Sequence, residues 1–209
     1  MRERKKEATK TTIMNAAIEL INERGFAETT MHIIARKADV ALRTLYNYFP
    51  SKESIVATYV NIVVQNEQEK SWNELLAADS TFERLGLLCR KSAEWMKENP
   101  VLAQVYTLEL DPRTYIFGQG TQGIPKSGIE ELVTTIMEMG QKTGDISISV
   151  PVWLLTRQFL GFYHFSVLNW LNDIEQNPDA IFQSGLKVLF AGIEVKDVSS
   201  GSIIWAMFC

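Results

Sequence analysis

Between Pro151 and Asn172 the chain carries Trp153, Leu154, Leu155, Phe159, Leu160, Phe162, Tyr163, Phe165, Val167, Leu168, Trp170 and Leu171, apolar on nearly every face of a helix. A helix of that kind has no side to leave in water, so it has to be covered all round. A membrane could cover it, but Arg157, Gln158, His164 and Asn169 interrupt the run and no polybasic anchor flanks it. Burial against the chain's own core on one side and a second subunit on the other accounts for it better. A membrane partner is therefore not expected, and a homodimer is.

The rest of the chain reads as helices, with no convincing strand and no repeat. A first helix is expected from about Glu7 to Arg24, where Ile13, Ala16, Ala17, Leu20 and Ile21 recur at helical spacing and Gly25-Phe26 stops it. Thr30 caps a short second helix, and Leu42 to Tyr48 forms a third. Ser51 caps a long fourth from Lys52 to about Ala77. Asn99-Pro100, Asp111-Pro112 and Asn177-Pro178 punctuate the C-terminal part of the chain into further helices over about 82–98, 101–110, 128–142, 151–172 and 179–194. The expected class is all-α with about nine helices: a three-helix head over 1–50, a larger helical domain over 51–195, and a tail over 196–209. That tail carries Ile203, Ile204, Trp205, Met207 and Phe208, and the sequence leaves open whether it docks or is disordered.

Charge is unevenly spread. The formal net charge is −4, yet Met1 to Val60 holds ten Lys and Arg against seven Asp and Glu. Counterion release on DNA depends on local charge, so an acidic chain with a basic N-terminal segment can bind a duplex. Charge alone fits a solvated basic tail equally well. The two cysteines, Cys89 and Cys209, are too few for a disulfide framework or zinc site, and no apolar stretch succeeds the charged N-terminus as in a signal peptide, so a cytoplasmic location is expected.

The second and third helices, separated by a turn of three or four residues, have the form of a helix-turn-helix, with Ala35 as the small residue and Val40 as the apolar turn residue. Helical pairs with short turns are common, and the spacing by itself is weak. The third helix adds chemistry: Arg43, Thr44, Tyr46, Asn47 and Tyr48 present donors and no acid, which suits phosphates and base edges.

The run Thr30-Met31-His32-Ile33-Ile34-Ala35, followed by Val40-Ala41-Leu42-Arg43-Thr44-Leu45-Tyr46-Asn47-Tyr48-Phe49-Pro50-Ser51-Lys52-Glu53, resembles the signature of tetracycline-repressor-like (TetR) regulators over roughly Thr9 to Val60. Two positions depart from that pattern. Ala41 stands where the family usually has a capping Ser or Thr, and Asp39 where it has a turn glycine. The resemblance implies a homodimer that places two recognition helices in successive major grooves of a pseudo-palindromic double-stranded operator. Thr30, Thr44, Tyr46, Tyr48 and Lys52 are then expected on phosphates. Arg43, Leu42 and Asn47 are expected at base edges, with Lys5, Lys6 and Lys10 adding backbone or minor-groove attraction. It also implies dimerisation through the last two helices, with Phe165, Leu168, Phe182, Leu186 and Leu189 as interface positions, and a small-molecule effector in the larger half. Trp95, Tyr106, Tyr115, Phe159, Tyr163 and His164 are candidate pocket residues, each of which also suits ordinary core; His164 either meets the ligand or satisfies a carbonyl.

Other chemistry is thin. Gly118-Gln119-Gly120-Thr121-Gln122-Gly123 matches the dinucleotide fingerprint letter for letter, but Pro125 intervenes and no strand succeeds it, so a mobile loop is expected instead. His32 and His164 are the only histidines, and there is no nucleophile elbow or Walker motif; Glu67, Glu69, Glu130 and Glu131 read as solvated carboxylates. No catalytic residue, metal or cofactor is expected. A helical enzyme would show turnover, and a DNA-independent interaction module would show no salt-sensitive duplex binding.

Overall fold

The computed structural model describes residues 2–108 and 128–193. Nine helices lie among them: α1 (Arg2–Arg24), α2 (Met31–Lys37), α3 (Leu42–Tyr48), α4 (Lys52–Ala77), α5 (Thr81–Glu98), α6 (Pro100–Leu108), α7 (Ile129–Thr143), α8 (Val152–Asn172) and α9 (Pro178–Ile193). The candidate loop Gly118 to Gly123, Tyr115 and the apolar tail lie outside the described residues.

Local chemistry sets most boundaries. Gly25, at φ 84°, ends α1 in the left-handed conformation that a side chain disfavours, with its N–H on the Ile21 carbonyl at 2.8 Å. Thr30 Oγ1 accepts from the Ile33 amide, and Ser51 and Ser54 form a reciprocal capping box that starts α4. At α3 the N-cap Ala41 supplies no side-chain bond, since a methyl has none to give. Asp39 adopts φ 52°, the left-handed position that the family pattern fills with glycine and that Asp tolerates better than most residues. Its partner in the turn, Val40, donates to the Ala35 carbonyl at 3.0 Å. The first helix begins at Arg2, five residues before the expected start at Glu7, because the charged run continues it.

The head closes around Ile13, Ala17, Leu20, Ile34, Leu45 and Phe49, and this core takes in Ile55 from α4. Leu45 and Phe49 are buried, each worth roughly 1.5–3 kcal/mol against exposure. On the head's outer side Lys37 reaches from α2 to two carboxylates of α1, Glu19 at 2.9 Å and Glu23 at 3.3 Å. Its hydrogen bond to Glu19 is the largest influence raising the ammonium above its ordinary pKa. A second cluster joins head to body: Ile18 and Ile21 of α1 pack with Val56 and Val60 of α4 and with Leu102 and Val105 of α6.

The body's core is built from α5, α7, α8 and α9, with α9 packed on α5 and α8. Here the structure corrects part of the sequence reading. Phe182 and Leu186 are 0% exposed within the single chain, because positions 182, 186 and 190 form the inward stripe of α9. They leave no surface for a partner. Leu189 is half-buried against the same core. Phe165, by contrast, is 70% exposed, and Leu168 is half-buried on the same helix. The crossing of α8 and α9 is tight: a Cβ on Gly185 would run into the Phe162 ring. Tyr163 stacks on Phe182 with ring centroids 5.1 Å apart. Asp145, after α7, holds the start of α5 through the Thr81 amide (2.6 Å) and hydroxyl (3.2 Å). A buried guanidinium that the sequence reading missed, Arg84, donates to the carbonyls of Leu75 (3.1 Å) and Ala78 (2.5 Å) and so caps the C-terminus of α4.

Candidate DNA-binding surface and effector cavity

The outer face of α3 is set by what its inner face buries. With Leu45 and Phe49 in the core, Arg43, Tyr46 and Asn47 are exposed and Thr44 and Tyr48 are half-exposed. Arg43 has no ion pair among the described residues, so its guanidinium carries an unspent charge. Leu42, expected at base edges, is half-buried against the head core, and Tyr48 packs there too. Thr30 is exposed. Its oxygen accepts the capping bond at 3.3 Å and its proton stays available to an acceptor outside the chain. Lys5, Lys6 and Lys10 lie along α1, the first two exposed and Lys10 half-exposed.

Lys52 makes a contact that the sequence reading missed. Its ammonium donates to the Phe26 carbonyl at 2.7 Å and sits 4.0 Å above the centre of the Phe26 ring. The side chain thus clamps the α1–α2 loop to the start of α4 through a charge-assisted hydrogen bond and a cation–π contact. An ammonium has three donors, so two are left for a phosphate. Nothing in the spacing of Lys52 and Phe26 along the chain announces this pairing.

The body holds a cavity of about 160 Å³ between α4, α5, α6, α7 and α8. On α4 its wall includes Val60, Val64, Glu67, Ser71 and Leu75, one helical stripe about 22 Å long at 1.5 Å per residue. Leu87, Met96, Ala103, Leu132, Leu160 and Val167 make most of the rest apolar. Four expected pocket residues, Trp95, Tyr106, Tyr163 and His164, are in this wall. Phe159 is not: it is fully buried in the core, its ring 5.8 Å from that of Phe162, so its aromatic surface goes to packing. Burial lifts the Tyr163 phenol to about 12 against a lowering hydrogen bond with Ser92, so it stays a neutral donor. Burial pulls His164 below the usual imidazole value and favours its uncharged form.

The cavity and the head share residues. Val60, Val64, Trp95 and Tyr106 line the cavity and also pack in the cluster that holds Ile18 and Ile21 of α1. The wall of the cavity is thus also part of the seat of the head. Among the described residues no group of three or more His, Cys, Asp or Glu side chains is placed to hold a metal ion. No helix among them is long and apolar enough to cross a membrane.

Fold and site together define a DNA-binding regulator of transcription, with a helix-turn-helix head carried on a helical body that contains a ligand cavity. Residues 13–59 match the family model for bacterial regulatory proteins of the tetR family. The match covers 47 of the chain's 209 residues, the helix-turn-helix head with the first turns of α4. It is 28% identical over 185 residues to the fatty acid metabolism regulator protein of Bacillus subtilis, covering 88% of this chain and 95% of that one. It is 26% identical over 144 residues to the transcriptional repressor KstR of Mycobacterium tuberculosis, covering 69% of this chain and 61% of KstR. Among solved structures, Thermus thermophilus FadR with lauroyl-CoA superposes with a TM-score of 0.75 at 22% identity, covering 92% of this chain and 99% of that one. Bacillus subtilis FadR with stearoyl-CoA gives 0.69 at 27% identity, covering 88% and 99%. These relatives are transcriptional regulators rather than enzymes.

Proposed function

We propose that the protein is a cytoplasmic repressor that binds a pseudo-palindromic operator as a homodimer and is released when an acyl-CoA occupies the body cavity. The observation that carries this reading is the cavity's wall: largely apolar, it follows one stripe of α4 about 22 Å long and includes four of the residues seating the head. Its form suits an extended apolar chain, and two structural relatives hold lauroyl-CoA and stearoyl-CoA. Release requires that the ligand bind the two head positions unequally, which a wall shared with the head cluster allows.

On DNA, Arg43 and Asn47 read base edges, while Thr30, Thr44, Tyr46, Tyr48 and Lys52 hold phosphates and Lys5, Lys6 and Lys10 add attraction. The head and body divide functionally near Pro50, with the first turns of α4 packed under the head. The dimer forms on the outer face of α8 and α9, where Trp153 (61% exposed), Phe165 and Val188 (77% exposed) leave apolar surface in water. The test is fluorescence anisotropy of a labelled operator selected by the protein from genomic fragments. Lauroyl-CoA should lower operator affinity at least tenfold. Tight operator binding that no acyl-CoA disturbs would remove the ligand half of the reading, and equal binding to operator and scrambled duplex would remove the other.

A further inference from the structure

Several helical hydroxyls among the described residues settle on their own helix. Thr58, Ser92, Thr134 and Ser166 each donate to the carbonyl four residues back, at 2.8, 2.9, 2.7 and 2.9 Å. Ser71 does not. It is 5% exposed, it lies in the cavity wall, and its Oγ has no hydrogen-bond partner. The other buried side-chain atoms in that condition, on Arg84 and Trp170, belong to residues outside the wall. A buried hydroxyl without a partner is costly, and this one gives up an acceptor on its own helix to face the cavity.

Its surroundings say what it faces. One turn away on α4, Glu67 and Gln68 are half-exposed, and Lys91 of α5, paired with Glu74 at 3.1 Å, completes a polar edge. Leu75, Leu87 and Leu88 continue the wall as hydrocarbon. Ser71 stands at the junction of the two. In an acyl ligand the carbonyl occupies the equivalent junction, between an apolar chain and its polar carrier. We propose that Ser71 is a ligand-recognition residue whose hydroxyl donates to the acyl carbonyl oxygen and sets how deep the chain enters. The inference rests on the acyl reading of the cavity and adds the atom that recognises it.

A carbonyl of this kind comes either from a thioester or from a free fatty acid, and three probes separate the cases. Isothermal titration calorimetry on the full chain compares lauroyl-CoA, its S-dodecyl thioether analogue, which lacks only the carbonyl oxygen, and lauric acid, each with wild type and Ser71→Ala. Alanine is the better helix former, so the variant keeps its fold, which its melting curve verifies. Wild type should bind lauroyl-CoA about 3- to 10-fold more tightly than the thioether. Ser71→Ala should abolish that preference while leaving thioether affinity unchanged. If lauric acid binds and is the ligand that Ser71→Ala weakens, the recognised carbonyl is that of the free acid. Equal binding of lauroyl-CoA and thioether to wild type, or a preference that survives in Ser71→Ala, overturns the role of Ser71 and leaves the acyl cavity standing. Failure of all three probes to bind overturns both.

Discussion

Tyr106 Oη donates to Asn61 Oδ1 at 2.7 Å, tying α6 to α4 where the cavity wall meets the cluster that seats the head. Asn61 is buried at 2% exposure, so the bond lies away from water. Tyr106→Phe should lower stability by about 1 kcal/mol through loss of a partly buried hydrogen bond. Because Tyr106 also lines the cavity, the variant should need more lauroyl-CoA for half-release of the operator while its ligand-free operator affinity stays within about twofold, on the order of 0.4 kcal/mol. Urea melts and ligand titrations of the operator complex measure the two effects separately. An unchanged half-release concentration would show that this bond does not carry the response.

Arg43 and Lys52 should separate in a salt series. Arg43 is exposed and makes no ion pair among the described residues, so Arg43→Ala should leave stability alone. It should cost about 1–3 kcal/mol on the operator and relax preference at one base per half-site. Lys52 is engaged with Phe26, so Lys52→Ala should lower stability by about 1–2 kcal/mol as well as weakening operator and scrambled duplexes alike. Anisotropy at several salt concentrations, alongside thermal melts, distinguishes these outcomes; a Lys52→Ala protein as stable as wild type would mean the clamp contributes nothing.

Asp145 should make stability depend on acid pH. Burial raises its carboxyl, but the bonds from the Thr81 amide, the Thr143 hydroxyl and the Thr81 hydroxyl outweigh it and hold the pKa below the ordinary value of 3.8. A depressed carboxylate contributes stability that is present above its unfolded value and is lost as pH falls through its folded value. Wild type should therefore lose stability below about pH 4. Asp145→Asn, less stable at pH 7, should lose less over the same interval. Parallel pH profiles for the two proteins would contradict the assignment.

The outer face of α8 offers a direct test of the dimer. Phe165→Asp places a charge where the folded single chain already meets water, so the protein should stay folded while dimer affinity falls by on the order of 3 kcal/mol. Phe182→Asp, in the core, should instead prevent folding. Sedimentation velocity with circular dichroism reads both. A Phe165→Asp protein that sediments as wild type would place the interface elsewhere.

Short-range chemistry is what the amino-acid order specifies without help from the rest of the fold. Thr30, Ser51 and Gly25 act on amides and carbonyls within four residues, so the stop of α1 and the starts of α2 and α4 were legible, as was the helix-turn-helix with its exposed Arg43. Apolar spacing also told which segments had to be buried. It did not tell against what, because the hydrophobic effect is non-directional and rewards any cover. Packing in three dimensions turns Phe182 and Leu186 toward the chain's own α5 and α8, places Phe159 in the core while Tyr163 lines the cavity, and leaves Phe165 outside. The polar outcomes were still less local. Lys52 meets Phe26 across twenty-six residues. Ser71, a single serine after a polar run, becomes a buried hydroxyl without a partner only when α4 and α5 close around it.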